Sequence, residues 1–303
     1  MQEWLPYNTL IVLLGVTMLG ACSGVIGCFA VLRKRSLVGD AISHATLPGV
    51  CAAFLIAGEK HFAAMLLGAF ISGLLGIAAL AALKRWTRIK EDAAIALVLS
   101  VFFGAGVVLA SVIQQTEGSG RSGWDAFIFG KSAGIVLDDV KLIALLVLVK
   151  LTIVVVCYKE FKLVAFDPEF AEVQGWPARK LDFALMLLLL TAVVVGLPAV
   201  GILMMAAMLI IPAAAARFWT QRLGWMIALA AGIGMISGIA GTLVSGRIAH
   251  MPTGPCIILA AAVLFAISFL FAPERGFVAR YLARRRDEME LLARLRAGED
   301  PPT

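Results

Sequence analysis

Asp40 and His44 are the residues of this chain best placed to do chemistry, since both are ionisable side chains at the head of a long apolar run, Gly39-Asp40-Ala41-Ile42-Ser43-His44-Ala45-Thr46-Leu47-Pro48. On a helix, positions i and i+4 lie about 40° apart around the axis, so the two side chains point at one spot. Pro48 stands four residues beyond His44, and because proline has no N–H it leaves the His44 carbonyl without its helical partner. One face therefore offers a carboxylate, an imidazole and a free carbonyl. Imidazole and carboxylate suit zinc, manganese and iron(II). Asp40 can equally cap the helix start, with His44 a satisfied interior polar group. Two ligands alone make a weak metal site, whereas two copies facing each other across a dimer axis would supply four.

The elements that position this pair belong in lipid. Of 303 residues, 61% are hydrophobic and 15% charged, against about 45–50% and about 25% in soluble domains. Thirteen of the charged residues fall in the last thirty positions, 274–303, which leaves the body of the chain poorer still. Such a composition excludes a water-soluble enzyme, a disordered hub and a nucleic-acid-binding domain. The net charge of +6 and pI of about 9.2 would otherwise invite the last of these.

A spanning helix takes about 20 mostly apolar residues. Apolar runs bounded by charged or turn residues predict nine spans, at about 8–32, 37–57, 62–83, 93–113, 139–158, 181–196, 199–217, 224–246 and 254–272. Eight to ten fit the length, and eight results if 181–217, interrupted at Leu197-Pro198, is partly re-entrant. The predicted fold class is all-α: a polytopic transmembrane bundle over residues 1–273 and a charged tail over 274–303. Twenty of the 26 basic residues fall in alternate connections and the tail, and five in the opposite set. Lys and Arg gather in cytoplasmic loops, so the N-terminus is expected outside and the C-terminus in the cytoplasm. The first apolar run is too long for a signal-peptide core and is expected to stay as a span.

Other residues carry weaker signals. The five cysteines, Cys22, Cys28, Cys51, Cys157 and Cys256, stand singly in or beside apolar runs and read as small packing residues. Small residues recur every fourth position at Gly20 and Gly24, at Gly68, Ser72 and Gly76, and at Gly234 and Gly238, a spacing that lets helix backbones approach closely in a membrane. Lys150, inside a predicted span, is either a pathway charge, a side chain turned inward to pair with an acid, or one that snorkels. His61 and His250 fall in outer loops, where solvation is the default and metal capture near an entrance is a minor alternative. Residues 114–138 read as a Gly/Ser-rich outer loop, and the tail contains a stretch with the pattern of an amphipathic helix.

The run Leu32–Pro48 (LRKRSLVGDAISHATLP) resembles the signature of membrane subunits of bacterial ABC importers for zinc, manganese and iron, ABC transporter family 3. Three further stretches agree in order and spacing: Lys90–Ala96 (KEDAAIA), Phe166–Gly175 (FDPEFAEVQG) and Val200–Arg217 (VGILMMAAMLIIPAAAAR). The resemblance covers residues 8 to 272. It implies a type II importer membrane domain in the bacterial cytoplasmic (inner) membrane, working by alternating access. A separate pair of ABC ATPase subunits would drive it, an extracytoplasmic metal-binding protein would deliver to it, and a second permease subunit would complete a homo- or heterodimer. Asp40 and His44 match the family's metal-contacting pair. Asp167, Pro168, Glu169, Phe170, Ala171 and Gly175 match its ATPase-coupling segment. That segment also reads locally as a short helix, with Pro168 at its start and Gly175 followed by Pro177 at its stop. The tail is longer than the family minimum and can lie on membrane lipid or against the ATPase.

No phosphate-binding loop of the GxxxxGK[ST] type occurs, so the chain is expected not to be an enzyme and ATP hydrolysis must come from another polypeptide. No permanently bound cofactor and no nucleic acid are expected; the transported divalent metal is the ligand. A gradient-driven secondary transporter would keep the spans without an ATPase. An intramembrane metalloenzyme would want a third ligand, such as the second histidine of an HExxH motif.

Overall fold

The computed structural model describes residues 7–33, 35–57, 62–115, 137–247, 251–273, 276–281 and 285. Eleven named helices form its body: α1 (Tyr7–Leu32), α2 (Ser36–Ala57), α3 (Phe62–Trp86), α4 (Glu91–Gln115), α5 (Leu137–Val156), α6 (Tyr158–Phe166), α7 (Pro168–Val173), α8 (Ala178–Val200), α9 (Ile202–Trp219), α10 (Leu223–Arg247) and α11 (Thr253–Phe271). Among the described residues there is no strand. An all-helical bundle is what lipid demands, because only intra-segment hydrogen bonds satisfy the backbone there without a closed barrel.

The expectation of nine spans is not met by helix length and composition. The predicted apolar runs fall within the helices, 139–158 and 199–217 straddling a break, but among the described residues the helices long and apolar enough to cross a membrane number seven: α1, α2, α3, α4, α8, α10 and α11. An eighth results if α5 and α6, bent by 70° at their junction, are taken as one span. The reasons are local. Helix α5 carries Asp138, Asp139 and Lys141 in its first turns and Lys150 further along, and α9, apolar throughout most of its length, has 18 residues with Pro212 inside, close to the lower limit for a span. The break between α8 and α9 is not at Leu197-Pro198 either. Helix α8 runs through Pro198 to Val200, and the chain turns at Gly201, whose φ of 93° and ψ of 157° lie in a region only glycine enters freely.

Lipid supplies no hydrophobic drive between helices, so close backbone approach matters more than apolar area. The predicted small-residue rows sit at such approaches. Gly20 and Gly24 of α1 face the backbone of Gly234 and Ala230 on α10, and Gly49 of α2 faces Gly68 of α3. Beside the latter, Ser72 Oγ donates to the Ala45 carbonyl at 2.6 Å. On its other flank α2 meets α4, where Cys51 Sγ donates to the Gly106 carbonyl at 3.4 Å and Gly106 leaves room for Leu47. Helix α2 is thus held on both sides. Leu67, Ile71, Leu75, Leu145, Leu148, Leu259 and Val263 point outward, each more than half exposed, as expected of a surface wetted by lipid.

Lys150 turns inward, 4% exposed, but its Nζ finds no hydrogen-bond partner, acid or otherwise, among the described residues. The five cysteines are free thiols, four of them buried, consistent with a packing role. His61, His250, most of the 114–138 loop and most of the tail lie outside the described residues.

Candidate functional site

Helix α2 brings Asp40 and His44 together as their spacing requires. Asp40 Oδ1 lies 3.4 Å from His44 Nε2. The other polar groups of this stretch are occupied within the helix: Ser43 Oγ donates to the Gly39 carbonyl at 2.8 Å and Thr46 Oγ1 to the Ser43 carbonyl at 2.6 Å. The pair is different. His44 is 14% exposed and Asp40 36%, and His44 Nδ1 is buried with no hydrogen-bond partner among the described residues. A buried ring nitrogen left unpaired costs free energy unless something binds it.

Phe103 of α4 stands edge-on to the imidazole, centroids 4.9 Å apart and planes at 79°. Leu47 and Phe103 also line a cavity of about 320 Å³ between α2, α4 and α9, whose further wall is Val107, Ala110, Ser111, Gln114 and Ile202. The polar members of that wall, Ser111 and Gln114, lie towards the far end of α4. Among the described residues there is no group of three or more His, Cys, Asp or Glu side chains able to hold a metal. Asp40 and His44 thus stand as a two-donor group, partly open to the surface of the chain.

The second predicted segment is built as a capped turn of helix. Asp167 is the N-cap of α7 and its Oδ1 accepts from the Phe170 N–H at 2.9 Å, with Pro168 in the first turn. At the other end Gly175 has φ +84°, and the Trp176 N–H donates to the Ala171 carbonyl and the Gly175 N–H to the Glu172 carbonyl, both at 3.0 Å. This double bond pattern is the glycine-dependent helix stop. Ala171 is fully buried against Val164 and Ala178, while Phe166, Phe170, Val173 and Trp176 are 57, 48, 84 and 43% exposed. Glu169 is exposed beside them. A short projection results, capped at both ends and carrying exposed apolar side chains.

One group was not predicted. Arg33 and Arg35, in the turn between α1 and α2, both pair with Asp182 on α8, Arg35 Nη1 reaching the two carboxylate oxygens at 2.7 and 2.8 Å. Arg35 Nε lies 3.0 Å from Glu91 Oε1, which also meets Lys84 Nζ at 2.9 Å. The end of α1, the heads of α2, α4 and α8 and the end of α3 therefore share one side of the bundle. Burial pushes the Arg33 guanidinium below its ordinary pKa, an effect that Asp182 opposes. No sequence spacing could announce these contacts, since Arg35 and Asp182 are 147 positions apart.

Comparison with known proteins adds the following. The ABC 3 transport family matches residues 7–272. The chain is 48% identical over 287 residues to the manganese transport system membrane protein of Bacillus subtilis, covering 93% of this chain and 66% of that protein, so it spans slightly under two thirds of that relative. It is 42% identical to the zinc transport system membrane protein of Treponema pallidum, covering 94% of this chain and 96% of that one. Among solved structures, the PsaBC complex of Streptococcus pneumoniae with a Fab matches with a TM-score of 0.80 and 31% identity, covering 92% of this chain and 96% of the matched chain.

Proposed function

The chain belongs to the ABC 3 transport family, and on that premise we propose that it is the membrane permease of an ATP-driven importer for a divalent transition metal: manganese, zinc or iron. The observation that carries the reading is the Asp40–His44 pair, two metal-type donors 3.4 Å apart on one partly open helix face. The named functions of the relatives, manganese and zinc transport, support the class of cargo. In this reading a second permease subunit brings its own pair opposite the first, and the ion is held by four side chains with water or the His44 carbonyl completing the shell. Binding stays weak because the donors are few and shared, as a pathway site must release its ion.

Energy enters elsewhere. The projection from Asp167 to Gly175 seats in a cytoplasmic ATPase subunit, its exposed Phe170, Val173 and Trp176 supplying apolar contact and Glu169 a charge. An extracytoplasmic binding protein hands the metal to the outer mouth. The N-terminus then lies outside and the C-terminus in the cytoplasm of a bacterial inner-membrane protein, in line with the basic bias of the loops on the α7 side.

The test is uptake of manganese or zinc ions by cells that express this chain together with an ABC ATPase subunit that co-purifies with it. ATP-dependent uptake, abolished when the ATPase is deleted, is expected. Uptake that persists without the ATPase and stops when the proton gradient is dissipated would replace this reading with a gradient-driven transporter.

A further inference from the structure

The ion pairs around Asp182 join the two halves of the site described above. Ala171 of α7 packs with Val164 and Ala178, and Leu181 rests on the same cluster, so α7 is fixed to the first turn of α8. The next residue is Asp182. Its carboxylate holds Arg33 and Arg35, and the Arg35 main chain sets the turn into α2: its N–H donates to the Ala30 carbonyl at 2.9 Å and its carbonyl accepts from the Val38 N–H at 3.0 Å. Asp40 follows five residues later, about 7.5 Å along the axis.

The surroundings make the contact stiff. Arg33, Arg35 and Asp182 are 12, 19 and 23% exposed at the side chain. Ile26, Phe29, Val38, Leu185 and Leu189 pack behind them. Reduced solvent access strengthens the pairing. Removing the carboxylate would leave two guanidinium groups side by side without their shared anion, which is much costlier than losing an exposed pair.

We propose that Asp182 is a positioning residue that transmits movement of α7 and the α8 head to α2, through Arg33 and Arg35, and so sets where Asp40 and His44 stand during transport. The inference rests on the importer function proposed above. In it, Glu91 and Lys84 tie the end of α3 and the head of α4, and with α4 Phe103, to the same node. Helices α2 and α4 then move with α8 as one body when α7 is displaced.

The experiment uses the chain assembled with its ATPase and binding protein in proteoliposomes, with manganese ions as the probe, and reads ions moved per ATP hydrolysed. For Asp182→Asn, co-purification of the ATPase is kept and the ratio falls about tenfold, the size of a typical coupling between sites. Asp182→Glu, which keeps the carboxylate, stays within about twofold of wild type. Arg35→Lys keeps the charge but not the fork that spans both oxygens, and it lowers the ratio about fivefold. An unchanged ratio in Asp182→Asn overturns the inference and leaves the importer function standing. Should Asp182→Asn fail to accumulate in the membrane, Arg35→Lys decides: a reduced ratio supports the link and a wild-type ratio overturns it. Wild-type uptake that needs no ATPase overturns both the function and the link.

Discussion

His44 is pinned from one side by Phe103, whose ring meets the imidazole edge-on at a centroid distance of 4.9 Å. Such pairs contribute about 0.5–1.5 kcal/mol beyond burial, and here the contact leaves Nε2 turned to Asp40 while restricting the swing of the ring. Phe103→Leu keeps an apolar side chain but removes the edge contact. Manganese uptake is expected to weaken about threefold to tenfold, mainly as a raised KM, because the donors remain but are less well ordered. Uptake kinetics identical to wild type would show that the ring does not position His44.

The seam between α2 and α3 makes a stability prediction. A methyl group on Gly68 would run into the Gly49 carbonyl, a backbone atom that cannot turn aside. Gly68→Ala is expected to destabilise the protein by about 1–3 kcal/mol and to lower uptake by displacing α2. Ser72→Ala, which removes only the bond to the Ala45 carbonyl, should cost about 0.6 kcal/mol. Thermal unfolding in detergent distinguishes the two, and equal effects would contradict the close-approach explanation.

Capping governs the projection. Asp167→Ala removes the acceptor for the Phe170 N–H at a cost of about 1 kcal/mol to α7, while Asp167→Ser restores one. Gly175→Val forces a branched side chain into φ +84°, costing about 1–2 kcal/mol. Co-purification of the ATPase is expected to fall for Asp167→Ala, Gly175→Val and Glu169→Ala, and to be kept for Asp167→Ser. Full retention in all of them would mean that the ATPase binds elsewhere.

Lys150 presents the opposite case. Its ammonium is buried without a hydrogen-bond partner among the described residues, so Lys150→Met removes a desolvated charge and preserves the stem. Stability is expected to stay equal or rise by about 1 kcal/mol, with uptake unchanged. A drop in melting temperature together with lost uptake would place Lys150 in the pathway.

How much of this was legible in the sequence depends on range. Asp40 and His44 could be put on one face because a four-residue spacing fixes their angle, and Asp167, Pro168 and Gly175 marked a helix because caps and stops are local chemistry. Membrane spans were legible as apolar runs, but their number was not. Helix α5 has charges in its first turns, α9 is short, and the 70° bend at α5–α6 depends on neighbours rather than on residue type. The apolar pattern puts the interruption at Leu197-Pro198, whereas the helix runs two residues past Pro198 and Gly201, with its positive φ, takes the turn. Phe103 against His44 and Asp182 against Arg35 were invisible, because contacts between segments far apart in the chain follow from packing and leave no periodic trace.

The central claim is that Asp40 and His44 touch the metal as it passes. It is tested most directly by accumulation of radiolabelled manganese in cells carrying Asp40→Ala or His44→Ala, with membrane level and ATPase co-purification measured in parallel. Uptake is predicted to fall by at least about tenfold in each variant while both parallel measurements stay at wild-type values. Unchanged uptake at normal expression would contradict the account.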